Sequence, residues 1–562
     1  MSDFFQAPPC LGNQYDEDRV LKTYLEWKLP APMRHKIEAE LHHLGQRVIE
    51  DIHQLGQEAE ASLPKHIPYD PWGKRIDHIE VHQAWNELDK ISAQERLIAI
   101  GYEREHGALS RIHQFAKLYL FHPSSAIYTC PLAMTDGAAR ALELYADESL
   151  KKHAFPHLTS SDPSQFWTSG QWMTERTGGS DVSGTSTIAK PSGSKFLLNG
   201  VKWFTSATTS QMAMTLARIE GAPPGSKGLS LFYVELRDPN GALNGIRINR
   251  LKDKLGTRAL PTAELTLDNT PAVLVGAPGD GVKKISSLFN ITRIYNACCA
   301  VGYMRRAIAL ARDYANKRVA FGRPLSQHGL HLETLANMQI EFTGAFHLVF
   351  HAIELLGKDE LGQATESERA VLRLLTPLAK LYTAKQSIAL VSEALEAFGG
   401  AGYIEDTGLP QLLRNAQVLS IWEGTTNILS LDALRAIHRE NAAEAFLDDI
   451  QKRLHQISNQ KLSSSKEKAK NSLQTLQHYI NTMQQMSEEE HQIGARQFAF
   501  AMTQTYIASL LLEYAEWSLF HNKDPLASIT AIRWCAKKLP ELLHPSETYK
   551  DDSKILAMDI EE

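Results

Sequence analysis

The feature that most constrains this chain is a change of hydrophobic period that happens twice along its 562 residues. After a proline-bearing, irregular head of about 35 residues, apolar side chains recur at three and four. The run Ile37-Glu-Ala-Glu-Leu-His-His-Leu-Gly-Gln-Arg-Val-Ile49 is one example, and such runs continue to about residue 155. This spacing specifies amphipathic helix. The stretch 131–144 is mostly apolar and rich in small residues, which predicts a buried helix. Between about 165 and 283 the pattern breaks up. Gly, Ser, Thr and Pro become frequent, and short alternating segments appear at 212–218, 228–235 and 263–268. Such runs between Gly/Pro loops read as strands, and Asn199-Gly200 is a hairpin-turn signal. From about 284 the helical period returns, in 303–312 and 378–396, and it continues through the tail. A polar stretch at 460–471 reads as a linker or a solvated helix, and no internal repeat appears.

The order helix, strand, helix predicts an α+β fold in four parts. Residues 1–165 form an N-terminal extension and helical domain. Residues 166–283 form a central antiparallel β domain, 284–440 a C-terminal helical bundle, and 441–562 an extra helical domain. Apolar residues make up 43% of the chain, enough for large buried cores. The net charge of -6 gives no global attraction to nucleic acid or to an anionic membrane. The five cysteines show no metal spacing, so no metal site is expected. The adjacent Cys298 and Cys299 read as packing residues. The opening Met1-Ser2-Asp3-Phe4-Phe5 lacks the basic and apolar segments of a leader. No uninterrupted apolar run approaches the roughly 18 residues of a spanning helix. These features together predict a soluble, cytoplasmic protein without a membrane span.

Four segments carry chemistry: Met173-Thr-Glu-Arg-Thr-Gly-Gly-Ser-Asp181, Gly200-Val-Lys-Trp-Phe-Thr-Ser206, Arg318-Val-Ala-Phe-Gly322 and Ile421-Trp-Glu-Gly-Thr-Thr-Asn427. Each has a bland reading by itself. A carboxylate beside a helix start is favoured by the dipole alone, and Trp and Thr are ordinary strand residues. In this order and at these separations, however, they resemble the acyl-CoA dehydrogenase flavoprotein family over roughly residues 70–440. The longer head and tail, with the segments 250–256 and 420–424, look like the AidB branch of that family.

The resemblance implies α,β-dehydrogenation of an acyl-CoA thioester with FAD as cofactor. Glu423 matches the base that removes the α proton, and the β hydride passes to the flavin N5. Trp422 would help exclude water, Gly424 would shape the turn, and Arg293 matches a supporting arginine. The alternative helix-borne base of some members is absent, since Asn290-Ile-Thr-Arg293 holds no carboxylate. For FAD, the resemblance assigns Met173, Thr174, Gly179 and Ser180 to a flavin-binding turn, and Trp203 and Thr205 to the isoalloxazine. Arg318 and Phe321 match a pair that reaches the cofactor across a subunit interface, joined by Glu396, Gly399, Gly400, Thr425 and Asn427. This chain has Arg176-Thr177 where Pro-Gly is common, and Glu396 where Gln is common. The implied partners are an acyl-CoA substrate, an electron-transfer flavoprotein or similar acceptor, and further copies of the chain in a homotetramer. A second reading is an AidB-like flavoprotein of the alkylation response that associates with DNA and turns over little. DNA binding needs clustered cations, but residues 441–562 carry 13 Lys and Arg against 17 Asp and Glu, a balance of 13 - 17 = -4. Local patches at Lys461, Lys466, Lys468 and Lys470, or Arg533, Lys537 and Lys538, are the candidates left.

Overall fold

Helices fill the chain up to Leu158, strands run from Ser169 to Leu274, and helices return from Gly281 onward. The computed structural model describes residues 5–538, 542, 543 and 549–559. The first four residues of the Met1–Phe5 opening and the gaps in the last stretch, with the sequence readings that fall on them, lie outside the described residues.

The head becomes helical sooner than its prolines suggest. Arg19–Lys28 is already a helix, capped by Asp18 and burying Leu21, Tyr24 and Leu25. Ala31–Arg47 follows, with Pro30 as its N-cap and Pro32 in its first turn. A missing N–H is no loss at those positions, so the irregular stretch ends near residue 18 rather than 35. The head then docks on the tail. Tyr514 donates to Thr23 Oγ1 at 2.5 Å, and Arg19 pairs with Asp524 at 2.6 Å. The expected buried helix at 131–144 is present as Thr129–Tyr145.

One hairpin interrupts the helical part without a signal in the hydrophobic period: Lys65–Tyr69 against Arg75–Glu80. Buried Asp77 ties it to the β domain by accepting from His66 and Arg75 on the hairpin and from the Ile248 N–H.

The β domain has seven strands and is largely, but not wholly, antiparallel. Ser169–Trp172 and Ile188–Ser192 each pair parallel with Met212–Ile219. Met212–Ile219 also pairs with Leu229–Glu235, which pairs with Thr262–Leu274, so the sheet curls back on itself. The Asn199-Gly200 signal does not mark the turn. Both residues lie inside the strand Lys195–Ser206, and the hairpin reverses around Gly193, at φ +61°. Gly200 sits at a register shift instead, where an added Cβ would lie 2.4 Å from Thr187 Oγ1. The glycine is there for close approach.

Three long helices, Gly281–Lys317, Gly329–Glu360 and Glu366–Ala397, form the centre of the second helical part. Gly329–Glu360 is long and apolar enough to cross a membrane by length and composition, but 89% of its most apolar window is buried inside the protein. Cys298 and Cys299 are buried in Gly281–Lys317, consistent with packing. In the tail, Glu488–Phe520 starts with a capping box between Ser487 and Glu490. The polar stretch at 460–471 is a helical turn followed by the start of Ser463–Met483, whose buried face is Ser465, Ala469, Leu473, Leu476, Tyr479 and Met483. It is a solvated helix, not a linker.

A buried ion pair anchors the centre of the β domain. Lys202 Nζ donates to Glu175 Oε1 at 2.8 Å and to the Leu216 carbonyl at 2.9 Å. Glu175 also accepts from the Ser186 and Thr187 hydroxyls. Burial pushes the Glu175 carboxyl up, but Lys202 and these donors overcome it and hold it at about 2. That stabilisation is present above the ordinary carboxylate value of 4.5 and is lost as pH falls through about 2. Glu175→Ala strands the Lys202 ammonium without its anion and should cost about 3–5 kcal/mol in urea unfolding at neutral pH, with a smaller difference from the parent protein at pH 3.

Candidate active site

The site is built on a turn between two helices. Leu409–Val418 ends, and Thr426–Glu440 begins with Thr425 as its N-cap. Between them, Glu423 takes φ +55° and Gly424 φ +105°. Glu423 is therefore not in a helix first turn, where the dipole alone could explain a carboxylate. It stands before the cap in a left-handed conformation that costs a non-glycine residue of order 1–3 kcal/mol unless its surroundings hold it.

Three polar groups hold it. Gln171, on the strand Ser169–Trp172, donates from Nε2 to Glu423 Oε1 at 2.9 Å. Arg293, on Gly281–Lys317, donates from Nε to the Glu423 carbonyl at 3.3 Å. Lys380, on Glu366–Ala397, donates to the Gly424 carbonyl at 2.6 Å. Arg293 is itself oriented by Asp432, which accepts from it at 2.8 Å and from Arg373 at 2.8 Å. Burial pushes Asp432 up, but the two arginines outweigh it and hold it below the usual carboxylate range. Glu423 ends on the other side. Burial raises its carboxyl, and Arg293, Thr292, Gln171 and Lys380 only partly offset that. The arrangement is a recessed, proton-accepting carboxyl of raised basicity, which suits a general base. Half-buried Trp422 packs against the main core beside it. Burial pushes the nearby Cys130 thiol up to about 12, which disfavours its thiolate.

A second group of expected residues surrounds the turn after Trp172. Met173 is buried in the core. The Thr174 carbonyl accepts from the Trp203 N–H at 2.9 Å, and a Cβ on Gly179 would lie 2.6 Å from Thr174 Oγ1. Thr174, Gly179 and Trp203 are thus brought together, with exposed Ser180 next in the chain. Two cations approach the Trp203 ring, the Arg176 guanidinium at 5.1 Å and Lys252 Nζ at 3.7 Å from its centroid. The loop that carries Lys252 also docks on the last helix before the turn, where the Thr257 N–H donates to Asn415 Oδ1 at 2.6 Å. Thr205 points inward. Its buried hydroxyl donates to the Ala263 carbonyl at 2.8 Å, so in this arrangement it offers a ligand only a lone pair.

The third group lies on an exposed face. Arg318 closes Gly281–Lys317, and its Nη1 donates to Gln6 Oε1 at 3.3 Å. Phe321, at φ +51°, tips the hairpin of Val319–Ala320 and Arg323–Pro324 and is 97% exposed. Glu396, Gly399 and Gly400 are exposed beside Phe398, whose ring meets Tyr314 at 4.6 Å. Thr425 and Asn427 are exposed at the start of Thr426–Glu440, and Asn427 Oδ1 accepts from Arg496 at 3.5 Å. Nothing lies within 4 Å of a Cβ built on Gly178, Gly399 or Gly400. The backbone there is open to a large ligand, as an FAD site requires.

Sequence reasoning missed Gln171, Lys380, Asp432 and Arg373. Lys380 left a signal, as a single cation in the apolar run Leu374-Leu-Thr-Pro-Leu-Ala-Lys-Leu-Tyr382.

With this geometry in place, comparison with known proteins is direct. The acyl-CoA dehydrogenase middle-domain and C-terminal-domain families match residues 170–270 and 279–438. The adaptive response protein AidB N-terminal domain matches 6–163, and the acyl-CoA dehydrogenase 11 C-terminal domain-like family matches 441–561. The chain belongs to the acyl-CoA dehydrogenase flavoprotein family and is an oxidoreductase of that kind. Within the family it falls with two relatives. Acyl-CoA dehydrogenase family member 11 of Caenorhabditis elegans is 44% identical over 551 residues, 95% of this chain and 89% of that protein. The putative acyl-CoA dehydrogenase AidB of Escherichia coli is 32% identical over 409 residues, 70% of this chain and 74% of that one. The crystal structure of Caenorhabditis elegans ACDH-11 in complex with C11-CoA superposes with a TM-score of 0.96 at 43% identity, covering 99% of this chain and 97% of that one.

Because the Gln171 amide stabilises the charged carboxylate, Gln171→Leu should move the Glu423 titration to higher pH than in the parent protein. Carboxyl-region difference infrared spectroscopy, with Glu423→Gln to assign the band, measures this.

Proposed function

We propose that this enzyme α,β-dehydrogenates an acyl-CoA thioester, with Glu423 as the base. The observation that carries this reading is the recessed Glu423 carboxyl, raised by burial and held by Gln171 on a turn that Arg293 and Lys380 grip. Glu423 takes the α proton. Its backbone N–H is the donor for the thioester oxygen, which steadies the negative charge that develops as the proton leaves. FAD, when bound, supplies the acceptor at N5 for the hydride that leaves the β carbon, so that two hydrogens depart and an enoyl thioester results. Trp422 keeps water from the carboxyl. Acyl-CoA as the substrate class is supported by the C11-CoA held by the Caenorhabditis elegans relative.

Thr174, Gly179, Ser180 and Trp203 would hold the flavin end of FAD. Arg318 would meet the diphosphate, since its planar fork matches two phosphate oxygens. Phe321, Glu396, Gly399, Gly400, Thr425 and Asn427 would frame the adenosine part. Phe321, Leu330 and Tyr403 are 97%, 84% and 90% exposed, an apolar face suited to another copy of the chain. The assembly is a homotetramer, and reoxidation falls to an electron-transfer flavoprotein or similar acceptor.

The tail does not favour the DNA reading. Four of the seven candidate cations already serve the protein itself: Lys466 donates to the Ile457 carbonyl, Lys470 pairs with Glu467, Arg533 with Glu333, and Lys537 with Glu341.

The purified protein should be yellow, and its flavin should bleach anaerobically on addition of a medium-chain acyl-CoA. Glu423→Gln should keep the flavin and lose bleaching by at least about 10³-fold, the scale of removing a general base. Bleaching at the parental rate in that variant would falsify the role given to Glu423. Steep, salt-sensitive retention on duplex DNA would restore the competing reading.

A further inference from the structure

Lys380 is the least expected charge near the site. It is fully buried in the middle of Glu366–Ala397, in a run of buried residues, and forms no ion pair among the described residues. An ammonium taken out of water without an anion is expensive. Among the described residues its ammonium donates to a neutral acceptor, the Gly424 carbonyl at 2.6 Å. That carbonyl belongs to the second of two successive residues with positive φ, Glu423 at +55° and Gly424 at +105°. Arg293 grips the first carbonyl of the same pair.

We propose that Lys380 is a positioning residue for the dehydrogenation. Its buried ammonium fixes the Gly424 carbonyl, locks the left-handed Glu423-Gly424 turn, and so aims the Glu423 carboxyl at the substrate's α carbon. This rests on Glu423 being the base.

A charge network on three helices lies beside the turn, and its Arg293 opposes the charged form of Lys380. Arg293 lies on Gly281–Lys317, and Asp432 and Glu440 on Thr426–Glu440. Arg373 stands seven residues before Lys380 on the same helix, two turns away and on the same face. Arg373 bonds Asp432 and Glu440, and Asp432 bonds Arg293. These four satisfy one another and leave Lys380 with the turn. Burial draws the Lys380 amine down to about 7, and the Glu423 carboxylate works against that. The two groups therefore favour each other's charged forms. Removing the cation should make Glu423 harder to ionise, so the acid limb of the reaction moves to higher pH.

The test is Lys380→Met in the full FAD-loaded protein. Flavin content, acyl-CoA affinity from the perturbed flavin spectrum, and the anaerobic bleaching rate across pH are compared with the parent. Flavin content and affinity should hold. The maximal bleaching rate should fall about 10²-fold, the scale of misplacing a catalytic group by an ångström. The acid limb should shift upward. A parental rate with an unmoved acid limb overturns the proposal. So does a rate loss matched by equal losses of flavin and affinity, which would make Lys380 a packing residue only. Should Lys380→Met fail to fold, Lys380→Gln, which also removes the cation, decides by the same criteria. Glu423→Gln keeps the two ideas apart. Full bleaching there removes the base itself, whereas a dead Glu423→Gln beside a parental Lys380→Met removes only the role of Lys380.

Discussion

The site depends on one carboxylate that does no chemistry. Asp432 binds Arg293 with one oxygen and Arg373 with the other, each at 2.8 Å. Arg373 is anchored in turn by Glu440 at 3.0 Å. Through this chain, helices far apart in sequence converge on the Glu423 carbonyl. Without Asp432, two partly buried guanidinium groups would repel each other and the turn would lose its grip on the Gly281–Lys317 helix. Fixed geometry of this kind lets a carboxyl sit in a strained backbone conformation and still point one way.

Comparing the buried acids separates structure from chemistry. Glu175 and Asp432 are both buried, and burial pushes both up, yet both end below the usual range because cations and hydroxyls meet them directly. Glu423 has cations nearby too, but none on its carboxyl. Arg293 and Lys380 bond to main-chain carbonyls of its turn. The cations therefore fix the carboxyl's turn without neutralising the carboxyl, and burial prevails. The same side-chain types give a carboxyl of lowered basicity in the β domain and one of raised basicity in the turn. The difference lies in which oxygen the cation touches.

Much of this architecture was legible in the sequence because hydrophobic period is a local property. The buried helix at Thr129–Tyr145 and the change to strands after residue 165 follow from spacing alone. Legibility failed where a three-dimensional neighbour decided the matter. Asn199-Gly200 carries a turn signal, but Thr187 lies against Gly200 across the sheet, and the chain stays extended there. The prolines at 30 and 32 look like breakers, yet they sit where a helix start has spare carbonyl-free N–H positions. Glu423 was found by its motif, whereas Gln171 was not, since an amide in a short strand has no signature until the fold brings it within 2.9 Å of that carboxyl.

The two kinds of expected site residue also behave differently in the folded chain. Those around Glu423 are recessed, and each has its hydrogen-bond partner in the same subunit. Those assigned to the far end of a dinucleotide, Phe321, Glu396, Gly399 and Gly400, stand on an open face beside exposed Tyr403 and Leu330. An almost wholly exposed phenylalanine on a positive-φ hairpin tip is costly in water and strained in backbone, so folding alone gives no reason for it. Such a residue makes physical sense when something else covers it. A pocket for the reacting carbon can be closed within one chain, but a cofactor as long as FAD needs a longer floor. The exposed face supplies apolar and open-backbone surface where that floor would extend, and a second copy of the chain would cover what the cofactor leaves bare.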